Sequence, residues 1–267
     1  MNAHRLAINA YVYAVLAFIL APIVLILPMA FSETAYLAFP PVGFTLDWFS
    51  EFFGNRRWMA AAQFSLTIAV LTAVTTALIG TMATYAMLRG GGRLATLFQV
   101  LLIGPIVVPH IALAVALYLF FQQVGLSSTV PGYVMAHSII AMPFVVFTIA
   151  AAMSNVDPAL EDAAMSCGAT RFQAFRYVTL PLIMPNVLAG GLFAFIISFD
   201  EPVIAFFLAG IRDKTLPRMM FDNIEQDLTP VIPAIAVLLT LLSVAVLIAA
   251  ALLRRWAARS QIKPTSD

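Results

Sequence analysis

Residues 157–185 read DPALEDAAMSCGATRFQAFRYVTLPLIMP, a polar island in a chain that is 62% hydrophobic and only 10% charged. Asp157 has the side chain to cap a helix that opens at Pro158, where a missing N–H costs nothing. Glu161 and Asp162 follow near the positive end of the helix dipole, which favours carboxylates. Ala163 and Ala164 give a small, smooth face, and Gly168 stands where such a helix stops and the chain turns. Thr170 and Gln173 have capping-box spacing for a second short helix carrying Arg171 and Arg176. Leu180, Pro181 and Pro185 close the segment before the next apolar run. The pattern predicts two short helices joined by a tight turn and held against a membrane.

Outside this island the chain is strongly apolar. Its mean hydropathy is +0.97, and soluble domains carry about 25% charged residues, far more than this chain. Apolar runs lie at about 9–31, 59–88, 94–121, 133–153, 185–210 and 230–253. Each reaches the ~20 residues that a helix needs to cross a ~30 Å hydrocarbon core. The expected fold is an all-α membrane protein of six transmembrane helices, with residues 154–184 as a loop between the fourth and fifth spans. No Ser/Gly-rich linker or shift in composition divides residues 1–267, so one domain is expected, with a disordered tail beyond Arg259. The first run, preceded by Arg5, is longer than the 7–15-residue apolar core of a secretory signal and is read as a retained helix.

Lys and Arg placement sets the expected orientation. With the N-terminus inside, Arg5, Arg89, Arg93, Arg171, Arg176, Arg254, Arg255, Arg259 and Lys263 lie in the cytoplasm. Arg56, Arg57, Arg212, Lys214 and Arg218 lie outside, with most of the acid, including Glu33, Asp47, Glu51, Asp213, Asp222, Glu225 and Asp227. Both termini are then cytoplasmic. The outer segment 32–57 mixes aromatics with turn residues, and TLPRMMFDNIEQDLTP has the pattern of a short amphipathic helix ending before Pro230. Both are candidate docking surfaces. The single Cys167 excludes an intrachain disulfide.

The polar island resembles the cytoplasmic EAA loop of the membrane-spanning subunits of bacterial ABC importers. That pattern has an acidic residue, two alanines, a glycine and then Ile-x-Leu-Pro. It is matched here in spacing by Asp162-Ala163-Ala164, Gly168 and Val178-Thr179-Leu180-Pro181. Asp162 stands for the usual Glu and Val178 for Ile. The resemblance extends to AHSIIAMPFVVF at 136–147, SFDE at 198–201 and TPVIPAIAVLLTLLS at 229–243, which are similar to the spermidine/putrescine branch. It implies the type I ABC importer permease fold in a bacterial inner membrane. It also implies a coupling helix docking into an ATP-hydrolysing subunit through Glu161, Asp162, Ala163, Ala164, Gly168, Ala169, Leu180 and Pro181. The implied partners are two ATP-binding cassette subunits, a second permease completing the pathway, an extracytoplasmic solute-binding protein and the lipid bilayer, with no nucleic acid. ATP and Mg would be bound by the cassette subunits, and closure of those subunits would push on the loop and rotate the fifth span.

Asp200 and Glu201 are the acids expected within a span. A charged side chain at mid-membrane costs ~2.5–3.5 kcal/mol on insertion scales and usually faces a cavity or a partner. On a continuous helix two adjacent acids would point about 100° apart, and Pro202 loosens the backbone after them. They would line a path for a cation, pair with basic groups on a partner, or stabilise a kink. In the resembled branch the cargo is a small polycation, spermidine or putrescine. Related permeases serve ferric iron, thiosulfate or phosphonates. In the third run Gly104, Pro105 and Pro109 interrupt the helix ladder. His110 and His137 are expected to bond inside the bundle and not to act in catalysis. There is no Gly-x-x-x-x-Gly-Lys-Ser/Thr phosphate loop, no HExxH helix and no GxSxG turn. Neither an ATPase nor an intramembrane hydrolase is therefore expected, and no catalytic or metal-ligating residue is assigned. A channel or secondary transporter would leave the capped loop unexplained.

Overall fold

The computed structural model describes residues 3–210, 213–226 and 229–260, and all regular structure among them is helical. Arg212, Asp227, Lys263 and the tail from residue 261 lie outside the described residues. The helices are α1 (Ala3–Met29), α2 (Asp47–Gly54), α3 (Arg56–Gly90), α4 (Gly92–Val107), α5 (His110–Gln123) and α6 (Val130–Met153). They continue as α7 (Pro158–Ser166), α8 (Arg171–Ala174), a π turn (Phe175–Thr179), α9 (Leu180–Phe199), α10 (Val203–Leu208), α11 (Leu216–Gln226) and α12 (Val231–Ser260). Five spans among the described residues are long and apolar enough to cross a membrane, and there are six if α4 and α5 count as one.

Two spans differ from the sequence expectation. The third is not straight: α4 and α5 meet at 110°. Pro105 is accommodated inside α4, and the break falls at Val108-Pro109. Val108 is extended, as the residue before a proline prefers. The fifth span begins earlier, because α8, the π turn and α9 form one helical run over Arg171–Phe199. Pro181 falls just after the π turn and the run continues through it, so it does not end the loop. That run also stops at Phe199, well short of residue 210, because Asp200-Glu201-Pro202 interrupts it.

The described chain falls into two compact units, residues 1–60 with 219–242 and residues 61–218 with 243–267. In the first, α1 leaves apolar side chains such as Phe18 and Tyr11 exposed, as a lipid-facing helix does. Ala30, Ala234 and Val237 form a small core there, with Phe31, Trp48 and Phe49 packed against it. The Trp48 indole N–H donates to the Ser32 carbonyl at 2.7 Å, and Thr45 N–H to the Phe31 carbonyl at 2.8 Å, so this aromatic segment is folded back on itself.

The second unit holds the candidate sites. Its core joins α6 to α9 through Ala141, Val145, Ile149, Met153, Ile183 and Ala194. A further cluster joins α5, α6 and α10 through Ala114, Phe121, Tyr133, Ile140, Ile204 and Leu208. Small residues set how closely these helices approach. A Cβ at Gly80 on α3 would lie 3.0 Å from the Val145 Cγ1 methyl, and one at Gly190 on α9 would lie 3.4 Å from it. Val145 on α6 therefore fits into notches on both neighbours. Gly191 makes a third notch, where an added Cβ would lie 3.5 Å from Ala77 Cβ. Gly80→Leu should lower the thermal unfolding midpoint of the purified transporter by an overpacking cost of about 1–3 kcal/mol. Adding Val145→Ala should recover part of that loss, and purely additive losses would contradict the wedge.

Candidate functional site

The polar segment folds as its residues dictate. Asp157 is extended and its Oδ1 accepts from Ala159 N–H at 2.9 Å, capping α7 with Pro158 in the first turn. At the other end Gly168 has φ +93°. Its N–H donates to the Met165 carbonyl at 2.9 Å, and Ala169 N–H donates to the Ala164 carbonyl at 3.1 Å. This paired bonding is a Schellman cap, which needs a left-handed residue where glycine pays no Cβ penalty. Thr170 and Gln173 then form a reciprocal capping box that starts α8.

Glu161 fixes the orientation of α7. It is 6% exposed, and both carboxylate oxygens are filled. Oε1 accepts from Thr179 Oγ1 at 2.7 Å and from Arg89 Nε at 3.0 Å, and Oε2 accepts from the Tyr85 hydroxyl at 3.0 Å. Arg89 also donates to the Val156 carbonyl at 3.2 Å, and the Tyr85 ring packs 4.6 Å from that of Phe175. Burial would raise the pKa of this carboxyl, but the hydrogen bonds from Thr179, Tyr85 and Arg89, with the Arg89 charge, outweigh it and hold the pKa below the usual carboxylate range. The π turn belongs to this arrangement, since it carries both Phe175 and Thr179.

The sequence-predicted loop residues therefore separate by face. Asp162, Ala163, Gly168 and Pro181 are exposed, while Ala164, Ala169 and Leu180 are partly buried. Glu161 is turned inward and is unavailable for direct contact with another subunit, because its oxygens already bind three donors. Tyr85, Arg89 and Thr179 complete the site and were not singled out from sequence. Arg89 was legible only as a positive charge on the cytoplasmic side.

The second candidate site is the acid pair. Asp200 and Glu201 do not share a continuous helix, contrary to the expectation, since they form the link between α9 and α10. Pro202 disfavours helical backbone at Glu201 and has no N–H to continue the ladder. Asp200 is exposed, and no hydrogen bond to its carboxylate is found among the described residues. Glu201 is buried: Oε1 accepts from Val203 N–H at 2.8 Å and Ile204 N–H at 2.9 Å, and Oε2 pairs with His110 Nε2 at 3.0 Å. One turn earlier, Ser198 Oγ bonds His137 Nδ1 at 2.8 Å. Both histidines thus bond within the helices, at the start of α5 and in the middle of α6.

Residues 77–262 match the family described as "Binding-protein-dependent transport system inner membrane component". The spermidine/putrescine transport system permease protein PotC of Escherichia coli K12 is 30% identical over 251 residues, 94% of this chain and 95% of that protein. The putrescine transport system permease protein PotI of the same organism is 31% identical over 229 residues, 83% of this chain and 81% of that protein. Among solved structures, a bacterial ABC transporter involved in the import of the acidic polysaccharide alginate has a chain of the same fold, with TM-score 0.70 and 16% identity, covering 96% of this chain and 99% of that one.

Replacing Glu161 with Ala should strand the Tyr85, Arg89 and Thr179 donors at about 1–3 kcal/mol, read as faster hydrogen exchange across 158–179 with the rest of the spans unchanged. The lowered folded pKa means that this anchorage is complete above the ordinary carboxylate range and is lost as pH falls through the folded value. Exchange in 158–179 should therefore stay flat from neutral pH to about pH 5 after correction for intrinsic rates. A loss of protection that begins within that interval would contradict the assignment.

Proposed function

As a chain that belongs to the family of binding-protein-dependent transport system inner membrane components, this protein is a membrane-spanning transport subunit of a bacterial ABC importer, and we propose that it forms half of an inward pathway for spermidine or putrescine. The observation that carries the coupling role is the anchored α7, which offers Asp162 and Ala163 outward while Glu161 ties it to the bundle. In this reading two cytoplasmic ATP-binding cassette subunits dock on that face and bind ATP and Mg. A second permease completes the pathway, and a solute-binding protein delivers cargo to the outer segments. Both termini are cytoplasmic. The chain itself carries no ATPase chemistry, in keeping with a sequence that lacks the phosphate-loop motif.

Two observations support a polyamine cargo. Two relatives that align over most of this chain are named for spermidine and putrescine. Asp200 presents an exposed carboxylate at a helix break, and irregular backbone at membrane depth is tolerated where it lines a cavity or is packed in protein. A polycation is drawn to such a point by its charge.

The test is reconstitution of the complex with its co-expressed partners in liposomes and measurement of ATP-dependent uptake of labelled spermidine and putrescine. Uptake that needs the binding protein, ATP and Asp200 supports the proposal. ATP hydrolysis with no polyamine uptake moves the cargo to ferric ion, thiosulfate, phosphonate or another small solute. Gly168→Asp should assemble normally yet transport poorly. The reason is backbone strain at φ +93°, since an added Cβ would meet no atom within 4 Å. A non-glycine residue there costs about 1–2 kcal/mol and reorients Ala169 and Thr170. Gly168→Ala should share the defect, and normal uptake by both variants would remove the loop from the coupling path.

A further inference from the structure

We propose that Glu201 is a positioning residue, which clamps two broken helices together and thereby leaves the neighbouring Asp200 as the carboxylate that meets a cationic cargo. The division of labour rests on the reading of this chain as a permease for such a solute. The clamp itself rests on geometry alone.

Each break falls beside a proline. The α4–α5 pair turns through 110° at Val108-Pro109, and His110 is the first residue of α5. The run that ends at Phe199 restarts at Val203 after Pro202. A restarted helix has N–H groups with no partner one turn back, and in a membrane interior each costs free energy if left bare. Glu201 Oε1 accepts from two of them, Val203 at 2.8 Å and Ile204 at 2.9 Å. Its Oε2 is engaged by His110 Nε2 at 3.0 Å. A carboxylate offers about four acceptor positions, so three protein donors leave little for a cargo amine. The Glu201 side chain is only 8% exposed.

The clamp joins elements that also pack. Ala114 and Phe121 of α5 share a core with Ile204, Ala205 and Leu208 of α10. On the other side of Asp200, the Ser198–His137 bond fixes the end of α9 to α6. Asp200 is therefore braced through the residue after it and through the residue two before it, while its own carboxylate stays exposed. The buried carboxylate is the structural one, and the exposed one is free to bind.

The experiment compares Glu201→Ala, Glu201→Gln, His110→Ala and Asp200→Asn in the reconstituted transporter complex, with labelled spermidine as the probe. Glu201→Ala should lower the maximal rate about tenfold with the half-saturating concentration unchanged within about twofold. Glu201→Gln should restore most of that rate, because its Oε1 accepts from the same N–H groups and its NH2 donates to His110 Nε2 when the ring carries its proton on Nδ1. Asp200→Asn should raise the half-saturating concentration about tenfold. The unfolding midpoints of His110→Ala, Glu201→Ala and the double variant should be non-additive, as for two ends of one bond. A Glu201→Gln variant that behaves like Asp200→Asn would make Glu201 a cargo ligand and overturn the proposal, as would additive midpoints. If the wild-type complex takes up no polyamine, the cargo reading falls, and the unfolding cycle still decides the clamp.

Discussion

The buried carboxylate of Glu161 is the constraint on which the connecting segment depends. Taking an ionised carboxylate out of water is among the larger penalties in a fold, and it is offset only when its oxygens are filled by donors. Here two donors come from α3 and one from the π turn. Since those donors lie on one side of α7, the helix has a single rotational setting. Everything α7 shows to the outside, beginning with Asp162 and Ala163, follows from that setting. The caps at Asp157 and Gly168 fix where the helix starts and stops. Glu161 fixes which way it faces.

The same chemistry recurs at the other end of the Arg171–Phe199 run. There the buried carboxylate is Glu201, and its donors are two freed backbone N–H groups and an imidazole. Both acids have an acidic neighbour in sequence that remains exposed, Asp162 beside Glu161 and Asp200 beside Glu201. In each pair one carboxylate is consumed in holding backbone and the other is left with its charge available. Charge alone does not say which is which, because burial and donors decide it.

Much of this was legible in the sequence, and the pattern of what was not is physical. The cap at Asp157, the glycine stop at Gly168 and the Thr170–Gln173 box are local, each needing only residues within a turn or two. The apolar runs located the spans, since length and hydropathy suffice for that. The inward face of Glu161 was not legible, because its partners Tyr85, Arg89 and Thr179 lie 76, 72 and 18 residues away. The boundary of the fifth span was misplaced for a related reason. Pro181 and Pro185 signal a stop in isolation, but the π turn and the packing of Ile183 and Ala194 against α6 carry the helix through them. A helical reading of the acid pair neglects Pro202, which argues for a break before it.

These contacts also constrain how a push on α7 could travel. The run Arg171–Phe199 is 29 residues long, or roughly 43 Å at 1.5 Å per residue, and could act as a lever from the loop to Asp200. It is not free to turn alone. Thr179 on the run and Tyr85 and Arg89 on α3 share one carboxylate, so rotating one helix against the other breaks at least one buried hydrogen bond, at about 1–3 kcal/mol for each donor stranded. Further along, Val145 of α6 sits in the Gly80 notch of α3 and the Gly190 notch of α9, which adds a packing penalty to any relative slide. The lower-energy response is for α3, α6 and α9 to move as one body. In the proposed importer, a shift at α7 would then reach Asp200 through that body as a whole, and the fifth span would not rotate within a fixed bundle.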